Sequence, residues 1–306
     1  MKVQTIYTKG LRWLDICNPG AEEVKWLQDN FRFHPSHFQA VASSQQRPRI
    51  EEGRGYDFLV MLFPVYEPRT QEIIQGEVDF FIGADFVITA HYNQIHTLAK
   101  LFNQTKNSSE NRTAHMQKGA GFLLYVILQT LFRRSYPILD HMSEDISALE
   151  RGIFHETSID LLSKISLMKK NIIEFRKMMK THRSVLEKLP KRTTDYLAFN
   201  QSKLYYRDLL EYYENIWDIL GALKETNDGL AETNQSLVAR RLNQTTKMIS
   251  IFSVIVLPAT LTAFIFAMDV GGVPFRNHPH GFWIVLGLMA AFSTITLAIF
   301  KYKKWF

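Results

Sequence analysis

Small and hydroxyl-bearing side chains recur at steps of three and four residues near the end of this 306-residue chain. The stripe consists of Ala239, Asn243, Thr246, Ser250, Ser253, Leu257, Thr260 and Phe264. Such steps place all of these residues on one face of an α-helix. Two interpretations remain open at this point. The face either packs against another helix, where serine and threonine permit close approach, or lines a water-filled pore that several copies build around an axis.

An acidic stripe occupies one broad helical face earlier in the chain. Its members are Asp208, Glu211, Asp218, Glu225, Asp228 and Glu232. A solvated helix face would explain this pattern by itself. If several copies surrounded an axis, the same face would form a negatively charged inner wall that concentrates cations.

Two long uncharged apolar runs lie near the end of the chain, from Met248 to Met268 and from Gly281 to Phe300. The first run contains the second half of the hydroxyl stripe, and the second run follows it. Runs of about 20 residues match the hydrocarbon core of a bilayer, so we predict two membrane-spanning helices. Upstream, the pattern from Asp195 to Met268 predicts one continuous helix. A soluble helix of that length needs neighbours along its side, which favours an oligomeric stalk.

Basic residues flank the two apolar runs on the sides away from the loop between them. They are Arg240, Arg241 and Lys247 before the first run, and Lys301, Lys303 and Lys304 after the second. The loop from Asp269 to His280 contains one arginine, Arg276. By the positive-inside rule we expect both termini to be cytoplasmic, in a bacterial-type inner (plasma) membrane.

The first 92 residues predict a mixed α/β region. Strands are expected at Val3–Tyr7, Leu11–Ile16 and Asp57–Tyr66, a hairpin at Glu77–Phe81 and Phe86–Tyr92, and a short helix at Ala21–Phe31. The pattern is helical from about Gln94 onward, with long helices at Gly121–Gly152 and Ser158–Leu189.

Composition excludes several classes of function. The net charge of +6 comes from scattered basic residues, which argues against nucleic-acid binding, and the single Cys17 excludes an intramolecular disulfide. The sequence contains no phosphate-binding Gly-x-x-x-x-Gly-Lys-Ser/Thr segment and no hydrolase arrangement, so we expect neither an ATP-driven pump nor an enzyme, and no covalent cofactor.

Two histidine pairs have spacings that suit metal binding. His34 and His37 precede or begin a predicted helix near Pro35, where a capping or surface role is the simpler interpretation. His278 and His280 flank Pro279 in the loop, where they are either metal ligands or plain exposed loop residues.

The segment Ala267-Met268-Asp269-Val270-Gly271-Gly272-Val273-Pro274 resembles the Gly-Met-Asn signature of CorA-type divalent-cation channels. The similarity continues back through Pro258 to Asn243 and includes the ending Lys301-Tyr302-Lys303-Lys304-Trp305-Phe306. Trp13-Leu14-Asp15-Ile16, Arg47-Pro48-Arg49-Ile50-Glu51-Glu52 and Tyr206-Arg207-Asp208 are also similar to the family, so that the resemblance covers nearly the whole chain.

This resemblance implies an α+β fold and a funnel-shaped homopentamer embedded in a lipid bilayer. The implied regions are an α/β/α cytoplasmic domain with a helical hairpin over 1–190, a stalk helix over 191–247, a pore-lining transmembrane helix over 248–268, an outer loop over 269–280, a second transmembrane helix over 281–300 and a basic tail over 301–306. Asn243, Thr246, Ile249 and Leu257 fall on pore-lining positions of the family, and Met268 and Asp269 fall at its outer mouth, where they are expected to bind the ion. Asp208 falls on a position that helps to hold a regulatory ion in magnesium channels.

Two departures from the family pattern concern the transported ion. The signature reads Ala-Met-Asp, and the outer loop lacks the acidic Met-Pro-Glu-Leu of magnesium channels and resembles that of the zinc-transporting ZntB branch. We therefore expect passive or gradient-driven transport of a divalent cation, Mg²⁺, Zn²⁺, Co²⁺ or Ni²⁺. The alternative is a non-conducting membrane-anchored scaffold or metal sensor on the same fold.

Overall fold

The computed structural model describes residues 3–43, 46–92, 95–153, 158–191, 197, 202–268, 274–275 and 278–303. The chain divides into two compact units, Met1–Ala231 and Glu232–Phe306. The first unit contains all six strands and the helices up to the first part of α7. The second contains the rest of α7 and α8.

Six strands form one sheet in the order β1-β2-β6-β5-β4-β3. Their bounds are β1 Val3–Thr8, β2 Leu11–Cys17, β3 Arg49–Gly53, β4 Tyr56–Glu67, β5 Glu72–Gly83 and β6 Phe86–His91. Among these described strands, β2 and β6 pair in parallel and the other neighbours are antiparallel. The predicted strands and the β5–β6 hairpin are confirmed, whereas β3 was missed.

Helices cover both faces of this sheet. On one face α1 (Ala21–Asn30) and α2 (Pro35–Ala42) pack Leu27, Phe38 and Val41 against Phe58 and Phe81 of the sheet. This double cover explains why the stretch Phe58–Phe63 of the predicted strand Asp57–Tyr66 is apolar at every position instead of alternating, since all six side chains are buried.

The opposite face of the sheet carries α3 (His96–Asn107), α5 (Ala120–Gly152) and α6 (Ser158–Leu186), with α4 (Ser109–Met116) between α3 and α5 in the chain. Trp13 meets Phe102 of α3 with ring centroids 4.9 Å apart, and Phe63 meets Phe132 of α5 at 5.6 Å. The α/β/α layering of the first unit is therefore confirmed.

The predicted helix Ser158–Leu189 is present as α6 and ends at Leu186, and a short 3-10 helix follows at Leu189–Lys191. The long helix predicted from Asp195 to Met268 is present as α7, Ser202–Ala267, with Pro258 inside it, whereas positions 195, 196 and 198–201 of the prediction lie outside the described residues. The second apolar run forms α8, Gly281–Tyr302. Both α7 and α8 contain segments long and apolar enough to cross a membrane, and almost none of either segment is buried within this chain.

Candidate ion pathway

The hydroxyl stripe lies on an open face of α7. All eight members, from Ala239 to Phe264, are exposed in the single chain. Leu257 is 67% exposed and Phe264 69%, although both are large apolar side chains. Such exposure of apolar groups requires lipid, or other copies of the chain, to cover them.

The side of α7 that faces α8 is a different one. Residues of α7 with reduced exposure recur at helical spacing, at Ile251, Val254, Pro258, Thr262 and Phe266. Ser293 Oγ of α8 donates a hydrogen bond to the carbonyl oxygen of Ile255, 3.0 Å away. At 100° per residue, the centre of these less exposed positions lies about 130° around the helix from the centre of Ser250, Ser253 and Leu257. The second helix therefore leaves this part of the stripe uncovered.

An apolar cavity of about 690 Å³ lies between α7 and α8. Its lining includes Ala259 and Ala263 of α7, Leu286 of α8, and the stripe members Thr260 and Phe264. The C-terminal part of the stripe therefore lies beside α8, although its side chains are also exposed. For Thr260 and Phe264, helix packing and pore lining both fit the geometry.

Three hydroxyl groups of the stripe donate to the helix that carries them. Ser250 Oγ donates to Thr246 O at 2.9 Å, Ser253 Oγ to Ile249 O at 2.9 Å, and Thr260 Oγ1 to Val256 O at 2.8 Å. Because each hydrogen is directed at the backbone, the hydroxyl oxygen faces outward as an acceptor. A row of oxygen acceptors suits the hydration water of a cation, whose hydrogens point away from the ion, better than it suits an anion.

Leu257 interrupts this polar row one residue before Pro258. The proline has no N–H, so the helix lacks one backbone hydrogen bond at this level. Ile249, which the family resemblance added, is 61% exposed and lies within about 90° of the stripe. The structure thus brings the expected pore positions Asn243, Thr246, Ile249 and Leu257 to the open side of one helix.

The expected outer-mouth residues are only partly within the described structure. Met268 is exposed directly after the last turn of α7, and its N–H donates to Ile265 O at 3.4 Å. Asp269 lies outside the described residues, as do Val270–Val273 and Arg276. Their predicted roles stay predictions.

The loop histidines are exposed, with ring centroids 6.1 Å apart. His278 Nδ1 accepts a hydrogen bond from the backbone N–H of His280 at 3.2 Å, so one nitrogen is already bound within the loop. Within the part of one chain that the structure describes, no group of three or more His, Cys, Asp or Glu side chains could hold a metal ion.

The N-terminal histidines have two different roles. His34 Nδ1 accepts from the N–H of Ser36 at 3.3 Å and caps α2, so the capping interpretation is confirmed for this residue. His37 is buried instead, between Tyr56 OH and Glu51 Oε2 at 2.8 Å each. Burial lowers the pKa of His37 despite the neighbouring carboxylate, so its ring stays neutral near pH 7. A surface role for His37 is therefore wrong.

The acidic stripe of α7 does not form one uniform wall within the first unit. Glu211, Asp218 and Glu225, spaced by seven residues, are exposed. Asp228 instead contacts Lys224 at 2.8 Å and Lys169 of α6 at 3.1 Å, and hydrogen bonds from these two lysines lower its pKa. Only the exposed subset could act as the negative surface that the sequence suggested.

Asp208 also has partners within its own chain. Its Oδ2 atom accepts hydrogen bonds from Tyr125 OH at 2.7 Å and from Gln129 Nε2 at 3.2 Å, both on α5. Sequence reasoning missed both partners, because they lie about 80 residues away and no local motif marks them. The expected role as ligand of a regulatory ion stays a prediction.

Comparison with known proteins identifies a matching family and several relatives. The model of a family described as "CorA-like Mg2+ transporter protein" matches residues 8–303. A curated relative, the cobalt/magnesium transport protein CorA of Methanocaldococcus jannaschii, is 26% identical over 300 residues, which cover 96% of this chain and 91% of that protein. The zinc transport protein ZntB of Photorhabdus laumondii subsp. laumondii is 23% identical over 301 residues, covering 95% of this chain and 86% of the relative.

A solved structure shows the same fold. The complete structure of the CorA magnesium transporter from Methanocaldococcus jannaschii matches with a TM-score of 0.80 and 24% identity, covering 95% of this chain and 90% of that chain. This chain therefore has the fold of that structure, with a soluble α/β N-terminal domain, a long helix and two C-terminal apolar helices.

Proposed function

The chain belongs to the CorA-like Mg2+ transporter family, whose model matches residues 8–303, and from this premise we propose that it carries divalent metal cations across a membrane. It is a transporter in this proposal and not an enzyme. The cation is the transported substrate, and several copies of the chain form the pathway. Flux is passive or driven by a gradient.

The observation that carries this proposal is the open face of α7. Ser250, Ser253 and Leu257 are exposed and point away from the side that packs on α8, and the serine oxygens face outward as acceptors. If α7 from each copy turned this face to a common axis, hydroxyl oxygens would contact the hydration shell of a cation along the pore. The exposed apolar surface of α8 would then face lipid.

We further propose that the assembly is a homopentamer with both termini in the cytoplasm, in a bacterial-type inner membrane. The family resemblance supports the stoichiometry, and the basic residues outside both apolar runs support the orientation. The proposed pathway begins at Asn243 and Thr246, passes Ile249, Ser250, Ser253, Leu257, Thr260 and Phe264, and ends at Met268 and Asp269.

Liposome flux assays test the transport proposal directly. Purified protein is reconstituted, and uptake of Mg²⁺, Zn²⁺, Co²⁺ and Ni²⁺ is followed separately, with and without a pH gradient. Relatives named for magnesium and cobalt and for zinc match at similar identity, so the order of the four rates is what assigns the ion. A rate that rises with the imposed proton gradient would add proton coupling.

Native mass measurement of the detergent-solubilised protein tests the assembly separately. A pentamer that carries none of the four ions would refute transport and favour the scaffold or sensor. A stable monomer or dimer would refute the pore formed by α7, because one copy leaves the hydroxyl stripe unenclosed.

A further inference from the structure

Three polar groups join α5 to α7 in a closed ring of hydrogen bonds. Tyr125 OH donates to Asp208 Oδ2 at 2.7 Å. Gln129 Nε2 donates one hydrogen to Tyr125 OH at 2.6 Å and the other to Asp208 Oδ2 at 3.2 Å. Two of these three hydrogen bonds are accepted by Oδ2 of Asp208, and the third is accepted by the tyrosine oxygen that itself donates to Oδ2.

Aromatic rings shield the tyrosine of this cluster from water, whereas Asp208 and Gln129 are partly exposed. Tyr125 is 7% exposed, and its ring lies 4.8 Å from that of Tyr205 and 5.8 Å from that of Phe122, centroid to centroid. Lys118 Nζ lies 4.4 Å from the centroid of the Phe122 ring, at the edge of the same cluster. Low local polarity strengthens hydrogen bonds to a charged acceptor and makes a stranded donor costly.

The tyrosine is kept in its protonated, donating form. Burial raises the pKa of the Tyr125 hydroxyl, and the hydrogen bond and negative charge of Asp208 raise it further. The O–H group therefore remains available as a donor throughout the physiological pH range.

We propose that Asp208 is the acceptor of a latch that fixes α7 against α5, with Tyr125 and Gln129 as its donors, and that Asp208 acts through these two partners and not as a metal ligand. A divalent ion on Oδ2 would have to displace the tyrosine hydroxyl or the glutamine amide from that oxygen. The displaced hydroxyl would sit in an aromatic setting without its acceptor. The proposal concerns the first unit and does not depend on transport.

Four variants of the full-length protein in detergent separate the two roles. Tyr125→Phe removes the hydroxyl and keeps the ring; Asp208→Ala removes the acceptor; Asp208→Asn removes the charge but keeps an acceptor oxygen; the fourth combines Tyr125→Phe with Asp208→Ala. Asp140→Ala, at an exposed carboxylate on α5, is the matched control.

A latch predicts a specific pattern of melting temperatures. Tyr125→Phe and Asp208→Ala should each lower the melting temperature by about 4–8 °C, and the double variant should fall by little more than the worse single variant. Asp208→Asn should lose less than half as much, and the control should change little. Additive losses in the double variant, or an equal loss in Asp208→Asn and Asp208→Ala, would overturn the latch.

Added Mg²⁺ gives the second readout. A bound ion raises the melting temperature of the protein that binds it, so a ligand role for Asp208 predicts an Mg²⁺-dependent rise that both Asp208 variants lose and Tyr125→Phe keeps. That result would overturn the proposal. The latch predicts the same Mg²⁺ response, whatever its size, in the parent, Asp208→Asn and Tyr125→Phe. Should Asp208→Ala fail to fold, the comparison of Asp208→Asn with Tyr125→Phe decides the question in both assays.

Discussion

The substitution His182→Leu should make unfolding of the protein less sensitive to acid. His182 lies on α6, is 0% exposed, and has its ring centroid 5.5 Å from that of Phe63 and 5.6 Å from that of Phe132. Neither ring nitrogen has a hydrogen-bond partner among the described residues. Desolvation by burial lowers the pKa of His182 to about 3. The backbone of Leu62 has a smaller, opposite effect and does not reach hydrogen-bond geometry.

The direction and size of the effect follow from this depressed pKa. The unfolded chain binds a proton near pH 6.5, whereas the folded protein resists doing so until about pH 3. The stabilising contribution of the neutral ring is therefore present above pH 6.5 and is lost as the pH falls toward 3. From the shift in pKa, the loss is about 2 kcal/mol at pH 5 and about 3 kcal/mol at pH 4.

Thermal unfolding of the full-length protein at pH 7.5, 6, 5 and 4 measures this loss. Leucine fits the apolar site and does not titrate, so the melting temperature of His182→Leu should fall less steeply than that of the parent, by about 4–8 °C at pH 5. His96→Gln, at an exposed histidine, should follow the parent curve. Parallel curves for the parent and His182→Leu would show that the ring is protonated in the folded protein and would refute the reasoning.

Three further predictions concern the pore and the sheet. Leu257→Ser should increase basal metal flux into liposomes by wetting an apolar constriction, whereas lower stability without added leak would mean that Leu257 faces lipid. Asp269→Asn should weaken the apparent affinity for the transported ion and flatten its pH dependence, because five carboxylates at an outer mouth would hold a divalent cation and share protons; identical transport curves would refute an ion-binding ring. Burial and the negative charge of Glu77 hold the pKa of Asp79 well above its usual value, with Arg49 opposing them. Protonated Asp79 contributes its whole stabilising free energy below about pH 4, and this contribution is lost as the pH rises through the raised pKa. Between pH 5 and pH 8, the melting temperature of Asp79→Asn should therefore fall less than that of the parent. Equal falls would show that Asp79 is ionised in the folded protein.

The sequence predicted elements whose pattern is local and strong. The helices α5 and α7 follow from apolar spacing, and the apolar run within Asp57–Tyr66 predicted the strand β4. The short β3 was missed because Arg49–Gly53 alternates weakly and forms a strand only by pairing with β4. That pairing depends on the turn between them, where Gly55 has a φ of +81°, a conformation that favours glycine.

Long-range partners set the limit of prediction at the site. Helical spacing correctly placed Ser250, Ser253 and Leu257 on one open face, because that inference needs only the geometry of a single helix. The same spacing suggested one acidic face, yet Asp208 and Asp228 are bound to side chains of α5 and α6. Those contacts depend on how distant helices pack, which periodicity does not encode.

The backbone-directed hydroxyls of α7 also bear on how the protein reaches its membrane. A polar group that enters hydrocarbon unsatisfied is costly, and a span that relied on neighbouring copies for its hydrogen bonds would have to enter together with them. Ser250, Ser253 and Thr260 instead satisfy their donors on their own helix. In the proposed assembly, a newly made chain could therefore insert alone, diffuse in the plane of the bilayer and meet its partners afterwards, so that insertion and assembly would be separate steps with separate concentration dependence.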